Sequence, residues 1–397
     1  MSKPILIAGA GIGGLTAALA LLQRGHQVLV LEQAAVLGEV GAGLQLSANA
    51  TRALELLGLK EPLHNIAAEP SGKEIRLWNS GRTWKLFDFG EQSIARWGSP
   101  YYMAYRPDLH RILYEAVLQQ SPDCVRLNTK ITRFEQDGAD SVWVEDTQGQ
   151  RFEGRALIGA DGVHSPIRQQ LFGDSKPEKS GCIAWRGVIP IEQLPAGFQR
   201  PVGTNWVGPG RHVIHYPLRG GKLLNFVGIV EKDIDIAESW TQIGTHAECH
   251  EDFAGWHADV HTMIEHIERP FKWTLLARPP LTTWSQGLVT LLGDAAHPTL
   301  PFLAQGAAMA IEDGYVIAQA LHKFADVPEA LRQFEQARVA RTNEIVAKST
   351  ENGRRFHNPE LADEQGANAY VDREWSEDKV LARYDWLFRY RVDEVFA

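Results

Sequence analysis

Residues 4–33, PILIAGAGIGGLTAALALLQRGHQVLVLEQ, constrain the fold more than any other stretch of the chain. The run PILIA has the length and apolar composition of a short buried strand. It passes directly into Gly9, Gly11 and Gly14, in G-x-G-x-x-G spacing. A helical pattern of small and apolar residues follows, closed by Gly25, and a second apolar strand ends at Glu32. Together these make a βαβ unit. Gly9 permits the tight turn, Gly11 lets backbone approach a pyrophosphate, and Gly14 lets helix and strand pack closely. The helix N-terminus offers free N–H groups and a positive dipole end to the phosphate. Glu32 is placed to accept hydrogen bonds from ribose hydroxyls. A glycine pattern alone is often only a turn. Strand, spacing, helix, strand and acid together point to a dinucleotide site.

The rest of the chain sets this unit in a larger α/β plan. VWVEDT and RALIGA, within residues 142–160, read as strands. From about 180 to 275 the texture becomes antiparallel, with CIAWRGVIPI, RHVIHYPL and KLLNFVGIVE. GLVTLLGDAAH then returns to the first texture. The expected plan is a Rossmann-type nucleotide-binding domain over 1–178, an inserted antiparallel-sheet substrate domain over 179–276, a return over 277–325 and a helical region over 326–397. A polar loop is expected around RRFHNPELADEQGANAY. With 397 residues, 44% apolar and 22% charged, the composition is that of a globular chain of two or three units. A net charge of −9 argues against a nucleic-acid partner. No apolar run approaches the roughly 20 residues of a membrane span. The N-terminus lacks a signal-peptide layout, and Cys124, Cys182 and Cys249 are too scattered for a disulfide framework. A cytoplasmic location is expected.

Three further segments narrow the nucleotide. GADGVHSPIR supplies Gly159, Asp161, Gly162, Ser165 and Arg168 after an apolar strand. YRPDLH supplies Arg106 and Asp108 ahead of a helix. GDAAHPTLPFLAQGA supplies Asp294 and a helix mouth at Gly306. With the N-terminal fingerprint, these segments resemble the single-component FAD-dependent aromatic hydroxylases, of the salicylate hydroxylase and 3-hydroxybenzoate 6-hydroxylase kind. The resemblance runs in order over residues 1–325, and GEVGAGLQLSANATRALELLGL (38–59) is similar to members acting on small phenolic acids. It implies FAD as cofactor and NADH or NADPH as co-substrate. Asp294 would bind the ribityl chain and Arg106 would sit near the phosphates or ribose. Asp161 would support the flavin loop and nicotinamide access, and Gln45 would lie near the flavin ring. Pro298 and Pro301 would stiffen the loop over that ring. The Gly306 helix would stabilise negative charge on the reduced ring. An aspartate ahead of a helix is also an ordinary N-cap, and that reading stands beside the functional one for Asp161 and Asp294. Tyr105 departs from the family, which usually has His before this Arg.

The reaction implied by the resemblance is hydroxylation of a small aromatic carboxylate by O2, through a flavin C4a-hydroperoxide. A phenol must lose its proton to become a good nucleophile, and with an ordinary pKa of about 10 it needs a base. GPGRHVIHYPLRGG (208–221) offers candidates. On a strand, His212, Ile214 and Tyr216 share one face and His215 the other. The resemblance assigns the base to His212 and substrate hydrogen bonding to Tyr216; a surface strand residue is the competing reading for His212. Pro301 and Phe302 make an apolar loop over the substrate, closer to salicylate hydroxylases than to the 3-hydroxybenzoate or 6-hydroxynicotinate enzymes. Decarboxylative salicylate 1-hydroxylation to catechol is therefore expected first, with 3-hydroxybenzoate 6-hydroxylation and 6-hydroxynicotinate 3-hydroxylation behind it. Arg82, Arg186 and Arg219 are candidates for the carboxylate anchor; none is pinned by spacing, and a solvent-facing arginine is the reading preferred for each. Other classes are a flavin reductase without oxygen transfer, disfavoured by the single glycine fingerprint, and a non-catalytic nucleotide-binding module. The histidines of HAECHEDFAGWHADVHTMIEH (246–266) lack the H-E-x-x-H spacing of a metal site and read as a solvated helix. The aromatic tail from Asp372 onward docks on the core or forms a dimer contact. A monomer or homodimer is expected.

Overall fold

The opening βαβ unit forms where its sequence places it. In the computed structural model, which describes residues 3–38, 41–138, 140–173, 177–233 and 242–397, strand Ile5–Ala8 lies between Val28–Leu31 and Ala156–Gly159, parallel to both. Every residue of Ile5–Ala8 is buried, as a parallel sheet covered on both faces requires. Val289–Leu291 adds in parallel beside Ala156–Gly159, so the chain re-enters the first sheet late. Helix Ile12–Gln23 packs on helix Gly306–Lys323. The contact is close: a Cβ on Gly314 would lie 2.7 Å from the Ala17 amide nitrogen. This packing carries the mouth of the late helix to the mouth of the first one.

A seven-stranded sheet faces this unit, in the order Phe271–Ala277, Glu178–Pro190, Leu223–Glu231, Arg211–Leu218, Val202–Gly208, Gly72–Leu77, Thr83–Asp88. The sheet is not confined to 179–276. Two strands come from before residue 90, and Gly72–Leu77 joins by parallel pairing with Val202–Gly208. Such a long-range register leaves no mark on local alternation. The expected boundary at 178/179 adjoins residues 174–176, which lie outside the described residues.

The C-terminal region is helical, but the polar loop is mostly absent. Helix Val327–Phe356 runs through its first residues, and helix Glu364–Glu374 takes its last. Residues 357–363 separate them, with the short 3₁₀ turn Pro359–Ala362 among them and Asp363 capping the next helix through Gly366 N at 2.8 Å. The polar residues that suggest a loop are caps and helix faces. The tail docks on the core: Val380, Tyr384 and Phe388 of helix Glu377–Phe388 pack with Phe87, Trp97 and Tyr101. The histidine-rich segment is two short helices rather than one solvated helix. Cys249, Val260, Met263 and Ile264 are buried against the seven-stranded sheet. Among the described residues, no helix is long and apolar enough to cross a membrane.

Candidate active site

A cavity of about 270 Å³ opens where the two mouths meet the sheet. On the nucleotide side, Gly9 has φ +106°, and a side chain on Gly14 would collide with the Gly9 carbonyl. Gly11 differs: a Cβ there meets nothing within 4 Å. The space before the first helix is therefore free for a phosphate to approach the backbone. Glu32 accepts from Ala10 N at 2.7 Å and Ala34 N at 2.8 Å. It clamps the glycine turn and keeps acceptor lone pairs for hydroxyls. Arg106 lines the cavity at the end of strand Tyr102–Tyr105. Asp108 does not; it pairs with Arg219, Oδ2 to Nε 2.7 Å.

Asp294 lies on the cavity wall and makes no hydrogen bond among the described residues. Its loop is held from behind. Arg168 Nη1 donates to the carbonyls of Ala295 and Ala296, both at 3.0 Å. Asp313 accepts from Gly293 N at 3.0 Å and His297 Nε2 at 2.6 Å, and is itself paired with buried Arg338 at 2.8 Å. Enclosure by protein raises the Asp294 pKa, against the pull of His297 and Arg106. Beyond it, Ala304 sits in the left-handed region at φ +54° just before the helix at Gly306. Strain of this kind collects where a loop is held for function. Gly306 and Ala307 line the cavity, so the helix N-terminus faces it. An open phosphate cradle, an unpaired acid and a positive helix end fit FAD. Arg168, Asp313, His297 and Arg338 carry no motif that announces these supporting roles.

Asp161 holds Ile167 N at 3.4 Å by one oxygen, and its other oxygen is buried without a partner. Burial raises its pKa from 3.8 to about 6. Across that window the folded protein keeps a proton that the unfolded chain has lost, so stability falls as pH rises, and the cost is complete above it. Asp161→Asn should stabilise the FAD-free protein near neutral pH by at most about 3 kcal/mol. Thermal melts of the FAD-free proteins check this; an unchanged melting temperature would remove the buried-charge account.

The floor of the cavity is one face of the seven-stranded sheet. Strand Arg211–Leu218 alternates as expected: His212, Ile214 and Tyr216 line the cavity, while His215 packs on the far side near Phe198 and Arg200. His212 is fully buried, not a surface residue. Burial raises the Tyr216 pKa against the pull of Arg186 and the neighbouring Gln45, so it stays a phenol. Gln45 also accepts from Tyr101 at 2.7 Å. The three arginine candidates separate. Arg82 is half exposed near Glu364, and Arg219 is committed to Asp108. Arg186, contrary to a solvent-facing reading, is enclosed at the cavity, 4.2 Å over the Trp273 ring, with Nε unpartnered. Burial lowers its pKa to about 10, so it remains a cation. Pro301 lines the cavity, whereas Phe302 does not. The Phe302 ring packs on Gly353 and edge-on to His212 at 5.5 Å, because its loop is anchored by Asn352 donating to Phe302 O at 2.7 Å. In the 38–59 loop, residues 39 and 40 lie outside the described residues.

His212 has partners that sequence patterning misses. Its Nδ1 lies 2.7 Å from His357 Nε2, and His357 Nδ1 lies 2.7 Å from Glu231 Oε1. His212 Nε2 has no protein partner. His357 caps the long helix from the C-terminal region, 145 residues away in sequence. The histidines of the 246–266 segment are engaged with one another or with backbone: His250 and His261 stack at 5.0 Å, His246 meets Ile267 O at 2.7 Å, and His257 caps a helix.

The fold and cavity define a class, the FAD-dependent oxidoreductases with a substrate sheet over the nucleotide unit. Residues 2–349 match the FAD binding domain family, and the chain belongs to that family of flavoprotein aromatic hydroxylases. A 3-amino-4-hydroxybenzoate 2-monooxygenase of Streptomyces platensis is 36% identical over 98% of this chain and 97% of its own length. A 3-hydroxybenzoate 6-hydroxylase of Polaromonas naphthalenivorans is 38% identical over 99% and 98%. Among solved structures, Klebsiella pneumoniae HpxO, complexed with FAD and uric acid, aligns with a TM-score of 0.84 at 27% identity, covering 97% of this chain and 96% of that one. A salicylate hydroxylase substrate complex aligns at 0.81, with 23% identity over 99% and 97%, a likeness of fold alone. The protein is an FAD-binding aromatic monooxygenase.

Proposed function

We propose that the protein hydroxylates a small phenolic carboxylate whose hydroxyl is meta or para to the carboxylate, using NADH and O2, and keeps the carboxylate. The observation that carries this reading is the spacing of base and cation on the cavity floor. Arg186 pairs with Val227, and Val227 pairs with Ile214. Arg186 is thus in register with Ile214, two strands across, and His212 lies two residues further along, so the two backbones are roughly 11–12 Å apart at the usual strand spacing and rise. A substrate that bridges them needs its two polar groups apart on the ring. In salicylate they are adjacent. The apolar-loop argument for salicylate also weakens, since Phe302 lies behind His212 rather than on the cavity. The resemblance to hydroxybenzoate hydroxylases at 36–38% identity supports the same choice.

When bound, FAD supplies the redox chemistry, taking a hydride from NADH and activating O2. Gly11, Glu32, Arg106, Asp294 and the Gly306 helix mouth would hold it. Arg186 binds the carboxylate, and Tyr216 donates to the substrate oxygen. His212 Nε2 takes the hydroxyl proton, which enriches the ring at its ortho and para carbons. The apolar wall of Ile214, Val227, Ile229 and Pro301 excludes water.

The test is NADH oxidation, oxygen uptake and product mass with 3-hydroxybenzoate, 4-hydroxybenzoate, 6-hydroxynicotinate and salicylate. A hydroxybenzoate should stimulate turnover and gain one oxygen without loss of CO2. Catechol and CO2 from salicylate alone would overturn the reading. Arg186→Gln should raise KM for the carboxylate substrate about tenfold, as expected for one charge-assisted contact, with flavin content unchanged.

A further inference from the structure

We propose that His357 and Glu231 relay the substrate's proton between His212 and bulk water. This rests on His212 as the base of the proposed reaction. The chain is continuous: His212 is fully buried, His357 is 4% exposed and Glu231 is 56% exposed, with 2.7 Å at each step. Glu231 ends its strand at the surface and brings the path to solvent.

The proton positions follow from the acceptor at the outer end. A carboxylate only accepts, so His357 Nδ1 must carry the hydrogen that lies against Glu231. A neutral His357 then has a bare Nε2, and His212 must donate to it from Nδ1. That leaves a lone pair on His212 Nε2, the nitrogen without a protein partner. The surface carboxylate thereby sets the tautomer of the buried base.

The chain also removes a difficulty. Burial, with His357 adding to it, lowers the His212 pKa well below 6.5. Storing the phenol's proton there as an imidazolium is unfavourable. Passing it on is not: Nε2 takes the substrate proton as Nδ1 gives one to His357 Nε2. His357 Nδ1 gives one to Glu231, which releases it to water. Both rings stay neutral, and no net charge forms in the buried segment. After one outward transfer both rings hold the opposite tautomer, set for one proton to return to the product oxygen. Among the described residues, the titratable groups against His357 are His212 and Glu231, and Glu231 also faces the Cys182 thiol.

The experiment uses the FAD-loaded protein with 3-hydroxybenzoate and its Glu231→Gln, His357→Gln and His212→Asn variants. Stopped-flow proton release into weak buffer is followed with a pH dye, alongside kcat and KM. Glu231→Gln changes only an exposed group, so its folding is safe. It should slow proton release and kcat about tenfold, leave KM within twofold, and enlarge the solvent deuterium effect on kcat. His357→Gln should do the same, with added imidazole restoring part of the rate. If both variants keep wild-type proton release and kcat while His212→Asn loses activity, His212 exchanges its proton without them and the relay is wrong. If His212→Asn is also unchanged, or the wild type turns over no hydroxybenzoate, the reaction reading fails and the relay with it.

Discussion

Asp294→Ala should bind FAD about 100-fold more weakly than the wild type, and the purified protein should lose most of its yellow colour. Hydrogen bonds to a charged group contribute about 1.5–3 kcal/mol, and about 3 kcal/mol is a hundredfold in Kd. Asp294 is suited to a contribution at the upper end. It is an acceptor exposed on the cavity wall with no hydrogen bond from the described residues, so no protein donor competes with ligand hydroxyls. The loop does not depend on its side chain for shape. Arg168, Asp313 and His297 hold the neighbouring backbone and stay in place when Asp294 is truncated. The FAD-free variant should therefore melt near the FAD-free wild type, which separates lost binding from lost folding. Asp294→Asn keeps an acceptor without the charge and should fall between the two. Titration of the FAD-free proteins with FAD, read by flavin fluorescence, gives the three constants. An alanine variant with the wild-type constant would take the ribityl role away from Asp294.

The parts of the site legible in the sequence are those whose chemistry is local. The glycine turn, helix mouth and acid of residues 9–32 are neighbours in the chain, and their spacing is their geometry. The alternation of His212, Ile214 and Tyr216 is a property of any strand, and the paired strands on either side keep it regular. Other features depend on which distant segments meet. His357 stands in a polar run that resembles a loop, and only the 30-residue helix before it carries its ring to His212. Glu231 is an ordinary strand-end acid until that ring arrives. Arg186 cannot be told from Arg82 or Arg219 in the sequence; the three differ in what surrounds them, Trp273, solvent or Asp108. The strands at 72–88 are missed for the same reason, because parallel pairing with Val202–Gly208 is a tertiary event.

His212→Asn should reduce hydroxylation by about 10²- to 10⁴-fold, the usual range for removing a positioned base, with flavin content little changed. Asparagine approximates the Nδ1 side of the ring and keeps a polar group toward His357, so the buried pocket is not left open. It has nothing at the buried Nε2 position, where the proposed reaction places the substrate hydroxyl. The pH profile carries a second signature. Because burial and the neighbouring His357 hold the His212 pKa well below 6.5, the wild-type base stays neutral through that value. The acid limb of kcat/KM should therefore not break at an ordinary histidine pKa. Stability follows the same sign. Below about 6.5 the unfolded chain takes up a proton that native His212 refuses, so the wild type loses stability as pH falls. Each such histidine contributes about 1.4 kcal/mol per pH unit. The asparagine variant lacks this term and should tolerate acid better even as its chemistry fails. A gain in acid stability with loss of hydroxylation would join the buried lone pair to the reaction. A variant that hydroxylates at the wild-type rate, with the same product formed per NADH, would leave His212 as a packing residue only.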